Sequence, residues 1–267
     1  VETIWSLAVG GDGTVYAGTG PDGKLFAIDR GGAAREALAT EDKRITALTV
    51  ARDGAVWLGT SERAIVFRFD PKSGGARAIA DFAGNEITAI AELRSGMAVA
   101  AADITEPPAT GPRSAAAITA AEKPAEPKGQ AAKAPEAGSK PGADKDTPAP
   151  ADVARKNARK GKGAVFFVTA DGRMRQLHAL TQTYVTSLAV GDKDQVFAGA
   201  ADKGRVYLID GDDSVATAVD VDERAISHVA WDGKALILTT DDATAFYRVT
   251  GRASAAKYVS EVLDAKS

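Results

Sequence analysis

The sequence predicts an all-β fold: a β-propeller with five visible four-stranded blades and minimal helix. Three observations carry this: a repeat of about 41 residues, a turn signal at a fixed place in each unit, and strands that are apolar on both faces. The repeat is read from segments beginning at Ile4 (IWSLAV), Ile45 (ITALTV), Ile87 (ITAIAE), Val185 (VTSLAV) and Ile226 (ISHVAW), spaced by 41, 42, 98 and 41 residues. The long interval is an ordinary unit holding a 57-residue tract of different composition, residues 105 to 161. Blades are therefore expected near 4–40, 45–82, 87–180, 185–222 and 226–263. As domains, 1–104 hold the blades up to the first part of blade three, 105–161 an insertion, 162–263 the remaining blades, and 264–267 the start of a linker.

Each unit carries the same punctuation. A β-branched first strand runs into a turn at Asp12-Gly13, Asp53-Gly54, Ser95-Gly96, Asp194 or Asp232-Gly233, and Asp-Gly favours a tight hairpin because both residues tolerate positive φ. A second strand follows (TVYAGT, AVWLGT, MAVAAA, QVFAGA, ALILTT), then a third (KLFAID, IVFRFD, AVFFVT, RVYLID, TAFYRV) and a more variable fourth. A blade is covered by neighbours on both faces, which explains strands without clean alternation. The aromatic in each third strand, Phe26, Phe67, Phe166, Tyr207 or Phe246, is expected to be buried equivalently. In the first strand the fourth position is large (Leu7, Leu48, Ile90, Leu188, Val229) and the third usually small (Ser6, Ala47, Ala89, Ser187), as a crowded inner strand near a central axis requires.

Composition excludes several classes. With 267 residues, 45% hydrophobic, the chain can bury a sizeable core. It has no cysteine, hence no disulfide framework, thiol nucleophile or thiolate metal site. A net charge of -3 argues against a nucleic-acid binder, and no apolar run approaches the ~18 residues of a membrane span. Opening on Val1 without a signal peptide, the chain reads as an excised piece, a monomeric unit within a longer multidomain protein. The insertion holds nine of the 11 prolines, 16 alanines, seven lysines and no aromatic residue, so it is expected to be disordered. It carries +3, which leaves -6 on the propeller body, and a basic cluster from Arg155 to Lys162 marks its return.

Most motifs dissolve in context. Gly18, Gly20 and Gly23 spell a dinucleotide-binding G-x-G-x-x-G, but a strand follows where a phosphate-binding helix must start. His178 and His228 lie in different units without a partner at ligand spacing, and His228 occupies the usually small third position of its first strand. The acidic groups Asp210, Asp212 and Asp213, and Asp241 with Asp242, lack the spacing and closing glutamate of a calcium loop. There is no G-x-S-x-G, H-E-x-x-H or Walker loop. The expectation is no catalytic residue, no metal ligand and no cofactor.

Two resemblances add to this. The third strands end in Ile28-Asp29, Phe69-Asp70 and Ile209-Asp210, where WD repeats place Trp-Asp, so the units resemble WD-type repeats in plan, without their Gly-His element. The run VYAGTGPDGKLFAID, the Lys/Pro/Ala-rich insertion and the ending from Lys257 to Ala265 together resemble a group of uncharacterised bacterial proteins, mainly myxobacterial, in which a roughly seven-bladed propeller precedes a β-sandwich. That resemblance implies that these are the last five blades of such a ring.

The expected function is a non-catalytic module that binds a protein or glycan, or positions neighbouring domains, in the periplasm or at the cell surface, with the cytoplasm as the other compartment. The alternative is a gluconolactonase-like enzyme with a divalent metal in the central channel, for which Asn85 is the one asparagine ligand outside the insertion. In a propeller the second-to-third-strand turns and the fourth-to-first-strand connections share one end. The candidate binding face therefore comprises Arg44, Glu86, Tyr184 and Arg224 from the connections, with Glu62, Arg63, Asp202, Lys203 and Asp241 from the turns.

Overall fold

A computed structural model describes residues 3–105, 160–211, 214–241, 245–252 and 258–262. Residues 106–159 of the insertion expected over 105–161, and the linker expected over 264–267, lie outside them. The described residues form strands and turns, with no helix among them. Blade one comprises β1 (Thr3–Val9), β2 (Val15–Gly20), β3 (Lys24–Ile28) and β4 (Ala34–Ala39). Blade two follows with β5 (Arg44–Val50), β6 (Val56–Ser61), β7 (Ile65–Asp70) and β8 (Gly75–Asp81), and blade three with β9 (Glu86–Glu92), β10 (Met97–Thr105), β11 (Lys160–Val168) and β12 (Met174–Leu180). Blade four has β13 (Val185–Val190), β14 (Val196–Ala200), β15 (Arg205–Ile209) and β16 (Val215–Asp220), and blade five β17 (Ile226–Trp231), β18 (Leu236–Thr240), β19 (Phe246–Arg252) and β20 (Tyr258–Val262).

Within each blade the strands pair in chain order, all antiparallel. The first strands β1, β5, β9, β13 and β17 pack on one another in succession, so the protein is a β-propeller with these as inner strands. Every first strand bulges at the residue after its Ile4, Ile45, Ile87, Val185 or Ile226: the register skips Trp5, Thr46, Thr88, Thr186 and Ser227. Such bulges increase local twist. Two of the bulged threonines donate their hydroxyls to the next blade, Thr46 to the Ile87 carbonyl at 2.7 Å and Thr186 to the Ile226 carbonyl at 2.5 Å. In blade one Ser6 does the same for the Ile45 carbonyl, at 2.9 Å.

The apolar cores lie between blades rather than within them. Ile45, Leu25, Leu58 and Tyr16 close the gap between blades one and two, and Ile87, Val66, Trp57 and Val99 that between two and three. Val185, Val165 and Ala198 fill the next, and Ile226, Val206 and Leu238 the last. Each first-strand residue thus faces the preceding blade. It sits on a second-strand glycine there: a methyl group on Gly18, Gly59 or Gly199 would stand 2.6, 2.3 or 2.7 Å from Cγ2 of Ile45, Ile87 or Ile226. Blade three carries Ala100 at this position, and the residue that packs into the same core from blade four is the smaller Val185.

Two expectations are corrected. The third-strand aromatics are not buried equivalently: Phe26, Phe67, Phe166 and Tyr207 are half-buried, and Phe246 is 45% exposed. Burial declines outward from the wholly buried β6 to the largely exposed β8, because blades splay apart with distance from the axis. Phe246 is also out of register with the others, since Tyr247 opposes Leu238 as Phe67 opposes Leu58, and one residue of slip reverses the face. The second correction concerns the insertion's edges. The β10–β11 pairing continues to Thr105 opposite Lys160, so residues 105, 160 and 161 belong to the hairpin.

Gly59→Ala is expected to destabilise the protein by ~1 to 3 kcal/mol through overpacking against Ile87, and with Ile87→Ala, which removes the Cγ2 that the new methyl meets, the double variant should lose less than the sum of the two single changes. Urea denaturation of the single and double variants measures this; independent, additive effects would show that the two side chains do not share the seat.

Candidate functional site

At the end where second-to-third-strand turns meet the blade connections, the charged residues are held in pairs by their own blade. In blade two Lys43 pairs with Glu62 at 2.6 Å, and Arg63 reaches Asp42 at 2.6 Å and Glu41 at 3.2 Å. Asp42 is buried and also accepts the Thr60 hydroxyl at 2.5 Å, so the connection is pinned beneath the turn. Arg44 donates to the Ser61 hydroxyl at 3.1 Å and lies over the Trp5 ring, 4.8 Å from its centroid. In blade five Arg224 pairs with Asp241. Asp202 is half-buried and Lys203 exposed, in a turn where Lys203 adopts a φ of 61°.

Two candidate residues are interior. Glu86 is buried, and its backbone pairs with Ser61, the single ladder contact joining blades two and three. Tyr184 is buried against Ala102 and Ile104. Its ring fits because β11 carries glycine where it passes: a methyl group on Gly161 would lie 3.1 Å from Tyr184 Cδ1. Asn85 is occupied too, its amide donating to the Ile104 carbonyl at 2.7 Å and accepting the Ile104 N–H at 2.9 Å. Tyr184 and Asn85 thus brace the hairpin from which the insertion departs.

The opposite end carries features that the sequence reading did not single out. A cleft of about 490 Å³ lies between blades one and two, lined by Val9, Tyr16, Arg52, Lys72 and the carboxylates Asp12, Asp53, Asp70 and Glu92. The three aspartates clamp their own turns, whereas Glu92 accepts the Arg52 N–H of the blade before. The Thr14 N–H and hydroxyl hold Asp12 below the usual carboxylate pKa, the Ala55 N–H and then Arg68 do so for Asp53, and the Lys72 N–H and Ser73 hydroxyl for Asp70. Asp232 in blade five is lowered likewise by the Ala235 and Lys234 N–H groups. The available signal was the Asp of each Asp-Gly turn, recurring at one point of the repeat.

The histidines remain apart. Burial holds His178 below its ordinary pKa, with its ring 5.3 Å from that of Tyr207. His228 Nδ1 lies 3.1 Å from the Ser187 hydroxyl, which also accepts the Val229 N–H at 3.1 Å. Trp231 ends β17, stacks on Phe197 and donates to Asp192 at 3.0 Å, so the Trp231-Asp232 pair does lie at a first-to-second-strand turn. Asp210 caps its own turn through the Gly211 N–H at 2.8 Å, whereas Asp212, Asp213 and Asp242 lie outside the described residues. Among the described residues no group of three or more His, Asp or Glu is placed to hold a metal ion.

No protein-family model matches the chain, and no curated protein matches it in sequence. Solved structures do match. Virginiamycin B lyase from Staphylococcus aureus superposes with a TM-score of 0.57 at 14% identity, over 97% of this chain and 69% of the lyase. Nidogen, solved in complex with laminin, gives 0.58 at 12% identity over 97% and 79%, and a putative gluconolactonase 0.52 at 15% over 97% and 75%. The extracellular domain of a B. thetaiotaomicron one-component system gives 0.56 at 12% over 98% of this chain and 36% of its own. At such identities the likeness establishes the β-propeller fold and carries no activity with it.

Tyr247 donates its hydroxyl to Glu223, which pushes the phenol up to about 12 from its ordinary 10.0. The folded chain keeps this proton where the unfolded chain releases it, so the contribution is complete below pH 10 and is lost as pH rises towards 12. Absorbance titration of the folded protein should show a tyrosine step near pH 12, and Tyr247→Phe should remove it; an unchanged curve would refute the assignment.

Proposed function

We propose that this chain is a non-catalytic propeller module that binds a protein or a glycan, or positions neighbouring domains of a longer bacterial protein, at the periplasmic or outer face of the envelope. The observation that carries the reading is the pairing of charges at the candidate face. Lys43 with Glu62, Arg63 with Asp42, and Arg224 with Asp241 form a pre-arranged polar rim of both signs, fixed blade by blade. A rim of this kind suits recognition of a polar surface, because its side chains are already ordered before a partner arrives. The extracellular domain and the laminin-bound nidogen among the structural neighbours favour an exported binding module. The WD-like plan and the resemblance to myxobacterial propeller-plus-sandwich proteins belong to the same reading.

The second reading is a gluconolactonase-like enzyme with a divalent metal in the central channel, and the gluconolactonase-like propeller among the structural neighbours favours it. Calorimetric titration with Ca²⁺, a lactone-hydrolysis assay and a glycan array separate the two. We expect no saturable Ca²⁺ heat, no lactonase activity, and array binding that weakens in a Glu62→Lys, Lys203→Glu variant. Lactone hydrolysis that depends on Ca²⁺ would replace the first reading with the second.

The insertion departs from the same rim, because it replaces the second-to-third-strand turn of blade three. Over residues 106–159 it carries +2 against -5 on the rest of the chain, so within this proposal it competes with an incoming partner for the rim. Deleting residues 106–159 should leave the thermal midpoint unchanged and strengthen array binding, most at low ionic strength where screening is weakest. Unfolding, or affinity unchanged at every salt concentration, would reduce the insertion to a spacer.

A further inference from the structure

At the bulge of the first strand, blades two to five carry a small hydroxyl residue: Thr46, Thr88, Thr186 and Ser227. Blade one carries Trp5 there, 43% exposed. The bond that Thr46 and Thr186 make to the next blade is made in blade one by Ser6, 2.9 Å from the Ile45 carbonyl. Ser6 thus meets the structural need and releases the bulge for an aromatic ring. The ring is fixed in place: the Arg44 guanidinium lies over it, 4.8 Å from its centroid. A methyl group on Gly20 would stand 2.9 Å from Trp5 Nε1, 2.8 Å from Arg44 Cγ and 3.3 Å from the Lys43 carbonyl. Trp5, Arg44 and Lys43 therefore converge on one glycine at the rim, and Lys43 holds Glu62 beside them.

We infer that Trp5 is the stacking platform of a sugar site, and that its occupant is a neutral glycan with a pyranose ring on the indole and its hydroxyls on the rim. This names the ligand class of the face already read as a binding surface, and it rests on that reading. A pyranose offers an apolar C–H face to the ring and, around its edge, hydroxyls that both donate and accept. The Lys43–Glu62 pair presents a donor and an acceptor together, both open to solvent.

Charge selects against the other occupants. The candidate-face residues comprise four cations and four carboxylates, so the rim has no net charge with which to recruit an acidic glycan. A cationic ligand is disfavoured because Arg44 already takes the place of a cation over the ring. A protein partner needs a core of several apolar residues around its hot spot. Beside Trp5 the rim offers charged side chains, and its tyrosine, Tyr184, is buried. One exposed ring among paired hydrogen-bonding groups is the layout that a single sugar residue fills.

Trp57 is buried and Trp231 is stacked on Phe197, so a ligand at the rim reports through Trp5. Cellohexaose, maltohexaose and chitohexaose, each titrated alone into the unaltered chain, are the probes. At least one should shift the tryptophan emission saturably and, once bound, shield the exposed indole from acrylamide quenching. Trp5→Ala should weaken that sugar at least about tenfold, whereas Trp5→Phe, which keeps a ring for stacking, should stay within about threefold. If Trp5→Ala does not fold, the shielding in the unaltered chain decides. No saturable change with any of the three sugars, binding without shielding, or equal affinity in folded Trp5→Ala overturns the inference. The module reading fails on a different result, Ca²⁺-dependent lactone hydrolysis.

Discussion

The contact on which the rest of the propeller depends is the seating of a first-strand isoleucine on a glycine of the blade before it. Glycine within a strand costs about 0.5 to 1 kcal/mol in backbone freedom. A buried isoleucine contributes about 1.5 to 3 kcal/mol, so the exchange favours close approach. Ile45 on Gly18, Ile87 on Gly59 and Ile226 on Gly199 repeat it, and Val185 with Ala100 conserves the summed volume by moving bulk from one partner to the other. The neighbouring bulge then serves a purpose. It turns Thr46 and Thr186 out of their own ladders so that their hydroxyls meet the carbonyls of those same isoleucines.

Because this contact joins neighbours only, stability is distributed as in a stack of repeats, each blade completed by the one beside it. The belt is tight near the axis and loosens outward, which leaves the fourth strands β4, β8, β12 and β16 largely exposed. The ends of the blades answer to different rules. Asp53 clamps its own turn through the Ala55 N–H, and Arg63 holds Asp42 within one blade. Such local interactions are free to vary without disturbing the seat.

The sequence made the repeat, the strand order and the all-β class legible because each rests on spacing and hydrophobic pattern. Residue identities in the seat were visible too, as the A-G-T and L-G-T of the second strands and the initial isoleucines, although which glycine meets which isoleucine is a matter of blade packing. Spacing misled at Phe246: an aromatic one place early looked equivalent to Phe67, and only the pairing of Leu238 with Tyr247 restores the register. Tyr184 read as a connection residue of the binding face, yet Gly161 and Gly163 open the room that takes it inside. The rim charges were legible as a group because connections and turns share one end by topology. Their pairing was not, since Arg63 and Asp42 are 21 residues apart and meet through the hairpin.

Departures from the repeat gather in blade five and at the root of the insertion. His228 replaces a small first-strand residue, Thr239 replaces a glycine, and Tyr247 with Glu223 and Arg224 with Asp241 tie polar groups into the same blade. Each exchanges apolar packing for hydrogen bonding, the pattern expected where a sequence serves something besides its own fold. In blade three the same holds for Asn85, whose amide is spent on bracing Ile104 at the point where the chain leaves the sheet. Blades one and two follow the repeat closely along the seat, so these departures from its rule are local to blades three and five and leave the seat between the first blades untouched.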